Sequence, residues 1–382
     1  MPAVIDLGQI DDPNDAVHRA VEALVGGGVV ALPTETVYGL AAMATNGDAV
    51  DRLIEVKGRR PDHPMTLAIR DPADTIDYAP NLSRLADRFA RRCWPGPITL
   101  VLDASSPESV VSRLPEQTLR AVVPNKTVGL RVPGNNITLA VLQRIAGPLV
   151  LTSANPTGQP DAVSVQEIDG EMAERLDLIL DGGPCHYAKP STVIHVEGEQ
   201  YNILREGLVP ESTVDRLARM LILFVCTGNT CRSPMAEVLC RQMLAEQLGC
   251  SIDQLDEGPV MVMSAGVSAG PGAYATREAI EALSEIDPEL GGLAKMHEAQ
   301  PVTEPLIRHA DAIFTMTEMH RDAIVATWPD AAARTSLLDQ SGRNITDPIG
   351  GPIERYRQCA AQIKDQLIGR IESLNIEGNE RE

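Results

Sequence analysis

The sequence sets up a strand–helix rhythm, breaks it once, and starts it again. Short apolar runs recur through the first half: VVAL (29–32), MTLAI (65–69), ITLVL (98–102), VGLRV (128–132), LVLT (149–152), LILD (178–181) and TVIHV (192–196). Each is strand-length and bounded by turn or helix signals. Helical spacing fills several intervals, as in Ala16, Val17, Ala20, Val21 and Leu24, which three glycines, Gly26 to Gly28, bring to an end. Residues 49–56 and 82–89 carry the same spacing. The rhythm pauses in the polar stretch LVPESTVDRLARM (208–220) and resumes with LILFV (221–225), VMVMSA (260–265), DAIFTMT (311–317) and TSLL (335–338). Such alternation predicts α/β architecture twice over, with a parallel, doubly wound sheet in the second half. No internal repeat links the halves. The boundaries expected are 1–208 for the first domain and 220–377 for the second.

The composition agrees. At 382 residues the chain suits two domains, each of the usual ~100–200 residues. Hydrophobic residues make up 43% and aromatics only 3%, so the cores must be mainly aliphatic. A formal charge of -20 argues against broad, non-specific binding to nucleic acid or anionic membranes. Seven cysteines, odd and sparse, form no disulfide framework. The opening MPAVIDLGQIDD has neither a basic nor an apolar leader region, and no run reaches the ~18 apolar residues of a membrane span. A reducing cytoplasm and no membrane partner are expected.

The most specific chemistry lies in FVCTGNTCRSPMAE (224–237). A loop from Cys226 to Ser233 joins a buried strand to a helix that Ser233 and Pro234 are expected to open. Backbone N–H groups and the helix dipole converge in such a loop and make an anion site. Gly228 lets the backbone curl, Asn229 braces it, and Arg232 can grip two phosphate oxygens. The same field favours the thiolate of Cys226, to which Ser233 can donate a hydrogen bond. A phosphocysteine intermediate then needs a proton donor for the leaving group, and Asp347 in TDPIGG is the candidate. Zinc is disfavoured because no second cysteine pair exists, and a CxxC redox motif is absent.

VCTGNTCRSPMAE with DPIGGPIERY resembles the low-molecular-weight protein tyrosine phosphatase family, over about 220–375, through SAGV (264–267), His297 and TMTEMH (315–320). The resemblance implies Cys226 as nucleophile, Arg232 as phosphate clamp, Asp347 as general acid, a phosphoprotein substrate and no cofactor. Thr227, Gly228, Asn229, Thr230, Cys231 and Ser233 would support the loop. Within the family the chain looks most like the bacterial protein-arginine phosphatases. Thr230 stands where tyrosine-specific members usually carry an aliphatic residue, and DPIGG lacks the tyrosines that wall a phosphotyrosine ring. An arsenate reductase-like activity and a phosphate-sensing module remain open. Cys231 is either a packed thiol or a partner that traps Cys226 as a disulfide under oxidation.

In the first half, ALPTETVYGLAA (31–42) reads as strand, turn and strand, not as a phosphate loop. Lys57, Arg59 and Arg60 cluster at a helix end before Pro61. TSANPTG (152–158) follows a strand, where α/β sheets commonly place ligands. PTETVYGL, Lys57-x-Arg59, WPGPITLVL, GLRVP, Ser153-x-Asn155, LDGG, STV and LREG together resemble the threonylcarbamoyl-AMP synthase (YrdC-like) family across nearly all of 1–210. That family has a twisted mixed sheet and makes threonylcarbamoyl adenylate from L-threonine, bicarbonate and ATP, for the t6A modification of transfer RNA. The resemblance implies Lys57 and Arg59 on the triphosphate, and Ser153 and Asn155 on phosphate or mixed-anhydride oxygens. Thr34 and Arg131 would hold threonine, Arg205 would touch the nucleotide, and Thr152 and Ser191 would bind ATP or threonine. Mg²⁺ is expected with the triphosphate, since no metal-ligand motif is present. His63 replaces the family's usual asparagine on the threonine side. Arg84, Arg88 and Arg92 form a basic stripe, either a solvated face paired with Asp87 or a contact for transfer RNA or its modification proteins. An RNA-binding regulator without synthase activity is the alternative for this half.

Overall fold

In the computed structural model of the chain, residues 2–58, 63–374 and 376 are described. They form two compact units, Met1–Leu217 and Ala218–Glu382.

The first unit is built on β1 (Ala3–Asp6), β2 (Val30–Leu32), β3 (Gly39–Met43), β4 (Thr66–Ala68), β5 (Ile98–Asp103), β6 (Thr127–Arg131), β7 (Leu149–Ser153), β8 (Leu178–Asp181), β9 (Thr192–Glu197) and β10 (Gln200–Arg205). Their order across the sheet is β1-β8-β2-β3-β7-β4-β6-β5-β9-β10. The sheet is mixed: β4 runs parallel to β6 and antiparallel to β7, while β3 pairs antiparallel with β7. The seven apolar runs of the sequence supply seven of its eight inner strands, and Gly39–Met43 supplies the eighth. The edge strands β1 and β10 do not announce themselves, because most of their side chains are exposed and their runs are only partly apolar. The helix Pro13–Val25 is capped by the Asp12 side chain and buries Ala16, Val17, Ala20 and Leu24. These pack on Val30, Leu32, Leu149 and Leu178.

The stretch assigned to a connector contains a helix, Glu211–Ala218. Val214 is buried there, Tyr201 donates to the Asp215 carboxylate, and Arg92 donates to the Leu217 carbonyl at 2.7 Å. The basic stripe is therefore not solvated along its whole length, although Arg84 is exposed. Arg88 is buried, and Asp87 pairs with Arg91 at 2.8 Å, a residue outside the stripe. Helical spacing groups residues on one side without saying which way that side faces.

The second unit holds β11 (Met220–Cys226), β12 (Val260–Gly266), β13 (Ala312–Thr315) and β14 (Thr335–Leu337), ordered β12-β11-β13-β14 with every pairing parallel. The central strand alternates between two cores. Ile222, Phe224 and Cys226 pack with the helices Arg232–Leu248 and Ile353–Leu374, while Leu221, Leu223 and Val225 pack with Ile307 and Ile324. A strand covered on both faces explains the unbroken run LILFV. The helix after it starts at Arg232 with Cys231 at the cap position, so Ser233 and Pro234 lie inside the first turn. Freed from capping, the Ser233 hydroxyl turns towards Cys226. No described helix is long and apolar enough to cross a membrane.

Candidate active sites

In the second unit the loop leaves the C-terminal end of β11 and enters the helix Arg232–Leu248. The Cys226 thiol is 3% exposed. Its Sγ lies 2.9 Å from Ser233 Oγ and accepts the Asn229 N–H at 3.2 Å. Asn229, not Gly228, takes the left-handed conformation that curls the loop, at φ 54°. That strained turn is over-determined. Asn229 Nδ2 donates to Ser233 Oγ at 2.9 Å and to Ser264 Oγ at 2.8 Å, and its Oδ1 accepts the Gln300 N–H at 2.9 Å. The Asn229 carbonyl lies 2.8 Å from His297 Nε2. Because Ser233 Oγ already accepts from Asn229, its own proton is available to Cys226 Sγ, the other acceptor in reach being Ala265 O at 3.4 Å. Ser264 in turn donates to Glu237 at 2.6 Å. Burial pushes the Glu237 carboxyl above the usual carboxylate range. Gly266 is needed where β12 meets the loop: a Cβ there would sit 2.5 Å from the Thr227 carbonyl.

Arg232 and Asp347 lie side by side. Arg232 is 5% exposed and its Nη2 donates to Asp347 Oδ2 at 2.5 Å, while the Asp347 side chain is 44% exposed. Longer contacts of 3.5 Å run from Arg232 to Thr227 Oγ1 and to the Ile345 carbonyl. Thr230 is half-buried, and its carbonyl accepts the Thr276 N–H at 2.9 Å. The Cys231 thiol is buried against Thr276 Oγ1 at 3.5 Å and Tyr356 OH at 3.9 Å. Both cysteines are free thiols.

In the first unit, Thr34, Arg131, Thr152, Ser153, Ser191 and Arg205 share a cleft of about 180 Å³. Lys57 and Asn155 stand behind Ser153. The Lys57 ammonium is bonded to Ser153 O (2.7 Å), Ser153 Oγ (3.2 Å), Asn155 O (2.6 Å) and Asn155 Oδ1 (2.7 Å). Arg131 Nη2 donates to Glu35 Oε1 at 2.7 Å and to Thr36 Oγ1 at 2.9 Å, and its Nε reaches the Gly96 carbonyl at 3.2 Å. Arg205 folds onto Ser191, donating to its carbonyl at 2.9 Å and its hydroxyl at 3.1 Å. The Thr34 hydroxyl is committed to its own turn, donating to Val37 O at 2.6 Å and accepting the N–H groups of Thr36 and Val37. Any contact from Thr34 to a small molecule must therefore come from its backbone or methyl group. His63 is exposed beside the lining residue Pro64. Arg59 lies outside the described residues. Glu35, the partner of Arg131, is the residue that sequence reasoning passes over. Its only local signal is an acid set between two threonines in PTET. Among the described residues no cluster of three or more His, Cys, Asp or Glu side chains is placed to hold a metal ion.

Comparison with known proteins matches each unit separately. The Sua5/YciO/YrdC family model, described as "Telomere recombination", matches residues 22–207. The family model described as "Low molecular weight phosphotyrosine protein phosphatase" matches residues 221–380. The threonylcarbamoyl-AMP synthase of Mus musculus is 31% identical over 224 residues, 56% of this chain and 75% of its own. The structure of P. abyssi Sua5 complexed with L-threonine is 22% identical, covers 69% of this chain and 92% of that one, and shares the fold with a TM-score of 0.50. The structure of the YwlE arginine phosphatase from Geobacillus stearothermophilus is 36% identical and covers 41% of this chain and 92% of that one, with a TM-score of 0.35. The chain thus belongs to the threonylcarbamoyl-AMP synthase family through its first unit and carries a low-molecular-weight phosphatase domain as its second.

Proposed function

We propose that the chain is a bifunctional enzyme. Its first unit makes threonylcarbamoyl adenylate from L-threonine, bicarbonate and ATP, and its second hydrolyses phosphoprotein through a phosphocysteine, with phosphoarginine preferred over phosphotyrosine. The observation that carries the second half is the pair of donors, Ser233 O–H and Asn229 N–H, on the buried Cys226 sulfur at 2.9 and 3.2 Å. Such donors, at a helix N-terminus, stabilise the thiolate. The thiolate attacks phosphorus, the S–P bond forms, and the bond to the leaving group breaks as Asp347 hands that group a proton. Asp347 then takes a proton from water, whose oxygen attacks phosphorus, releasing phosphate and restoring the thiolate. Arg232 moves from Asp347 to the equatorial phosphate oxygens.

Phosphoarginine is favoured by Thr230, a half-buried hydroxyl at the loop that suits a guanidinium-bearing substrate, and by DPIGG, which offers no aromatic wall. Parallel assays on phosphoarginine and phosphotyrosine proteins test this. Thr230→Ile should lower the preference for phosphoarginine by about tenfold, as loss of one polar contact implies. Equal rates on both substrates, unchanged in the variant, would remove the basis for it.

In the first unit, the threonine amine and bicarbonate give a carbamate, whose oxygen attacks the α-phosphorus of ATP while the bond to pyrophosphate breaks. Arg131 offers the threonine carboxylate its Nη1, since Nε and Nη2 serve Gly96, Glu35 and Thr36. Lys57 and Arg59 meet the charge on the departing pyrophosphate, and Arg205 the nucleotide. Mg²⁺ entering with ATP would neutralise phosphate charge. Asp161, a lining carboxylate within electrostatic reach of the Arg205 guanidinium, is the side chain fit to hold it. The adenylate would then pass to the transfer-RNA modification step. Pyrophosphate release that needs ATP, threonine and bicarbonate together tests this half. Release without threonine would sink it.

A further inference from the structure

Below the mouth of the phosphate loop lies an imidazole that the hydrolysis above leaves unused. His320 is 2% exposed, in the first turn of the helix Glu318–Thr327. Its Nε2 lies 2.8 Å from Thr227 Oγ1, and its Nδ1 lies 3.0 Å from Thr317 Oγ1. Thr227 is the residue after the nucleophile, and its hydroxyl is also within 3.5 Å of Arg232 Nη2. Thr317 caps the helix and is tied to the end of β13, its carbonyl accepting the Thr315 hydroxyl at 3.2 Å.

Proton counting gives this line a direction. A guanidinium only donates, so Thr227 Oγ1 accepts from Arg232, and its own proton is free to go to His320 Nε2. The ring proton then sits on Nδ1 and goes to Thr317 Oγ1. The order Arg232→Thr227→His320→Thr317 holds only for a neutral ring, because an imidazolium carries a proton on both nitrogens and leaves Nε2 unable to accept from the Thr227 hydroxyl. Burial, then the Arg232 guanidinium, holds His320 down at about 4, against the opposing pull of Asp347. Asp347 must leave Arg232 to protonate the leaving group. Among the described residues, Thr227 Oγ1 and the Ile345 carbonyl are then the guanidinium's remaining anchors.

We propose that His320 is a positioning residue of the phosphatase site. Through the Thr227 hydroxyl, it holds the first residue of the phosphate loop and the Arg232 guanidinium in register with the transferred phosphoryl group. This rests on the phosphocysteine reading, and wild-type hydrolysis that Cys226→Ser abolishes establishes that reading separately. The test uses the full chain as wild type, His320→Ala, Thr227→Val, the double variant and His320→Gln, with an aryl phosphate as substrate and inorganic phosphate as competing ligand. Each single variant should lose roughly 10-fold in kcat and bind phosphate more weakly, and the double variant should lose no more than either, as expected of residues acting as one unit. His320→Gln should recover part of the loss. Ring ¹⁵N resonances of the wild type should report the neutral Nδ1–H tautomer. Losses that multiply in the double variant, or an Nε2–H tautomer, would overturn the proposal. Should His320→Ala fail to fold, Thr227→Val reads the same contact from its exposed end, and full kcat in that variant also overturns it.

Discussion

The two regions of this chain proposed to meet phosphate commit their cations in different ways. Around the loop, the groups that shape the turn are largely neutral amides and hydroxyls gathered on Asn229. Its one guanidinium is bonded to a carboxylate that is half exposed and able to move away. In the first unit the cations are part of the frame. Lys57, 4% exposed, ties the end of β7 together through four oxygens, and Arg131 is locked to a largely covered Glu35. A cradle of backbone dipoles is ready before its ligand arrives. A cleft whose cations already serve the protein must exchange partners to bind. Substitutions in the loop should therefore remove chemistry and leave the fold, whereas substitutions in the cleft should harm both.

The largest effect expected is on Cys226→Ser, which should lose at least about 10⁴-fold in aryl phosphate hydrolysis, as loss of a covalent nucleophile does elsewhere. Its thermal transition should stay in place, and a collapsed transition would place Cys226 in the frame and blur the contrast. Asp347→Asn comes next, with a fall of about 10²-fold in kcat, the usual worth of a general acid, and no measurable change in stability because its ion pair is half exposed. Lys57→Ala should abolish threonine-dependent pyrophosphate release. It should also cost the first unit on the order of 2–3 kcal/mol in denaturant titrations, since buried oxygens lose their donor. A Lys57 variant of unchanged stability would show that the cleft is no more framed by its cations than the loop is.

The smallest effect is a pH term. The folded-state value of His320, about 4, lies below the ordinary value near 6.5. In that window the unfolded chain binds the proton and the native one does not, so this residue makes stability rise with pH from about 4 to about 6.5 and then level off. His320→Gln should remove that increment from the calorimetric stability of the second unit. The same slope in wild type and variant would mean that the buried ring is not the group responsible.

What the sequence makes legible is local. Cys226, the loop and Arg232 lie within one strand end and one helix start, and Asp347 is marked by the proline after it. The partners of these groups are not legible, because the sheets choose them. Glu35 meets Arg131 across 96 positions, and Lys57 meets Asn155 across 98, once β3, β7, β4 and β6 lie side by side. His320 reaches Thr227 across 93 positions, because β13 pairs with β11. Local polarity misleads for the same reason. Arg92 suggests a solvated face until the helix Glu211–Ala218 is known to end beside it.

In the proposed hydrolysis, Cys226 bonds covalently to phosphorus. Rapid acid quench of the full chain during aryl phosphate turnover, followed by mass analysis of its peptides, tests that bond directly. One phosphoryl group on the peptide that begins the loop, on Cys226 itself and absent from Cys226→Ser, is the predicted result. Turnover with no adduct, or an adduct on Ser233, Thr227 or any other side chain, would contradict it.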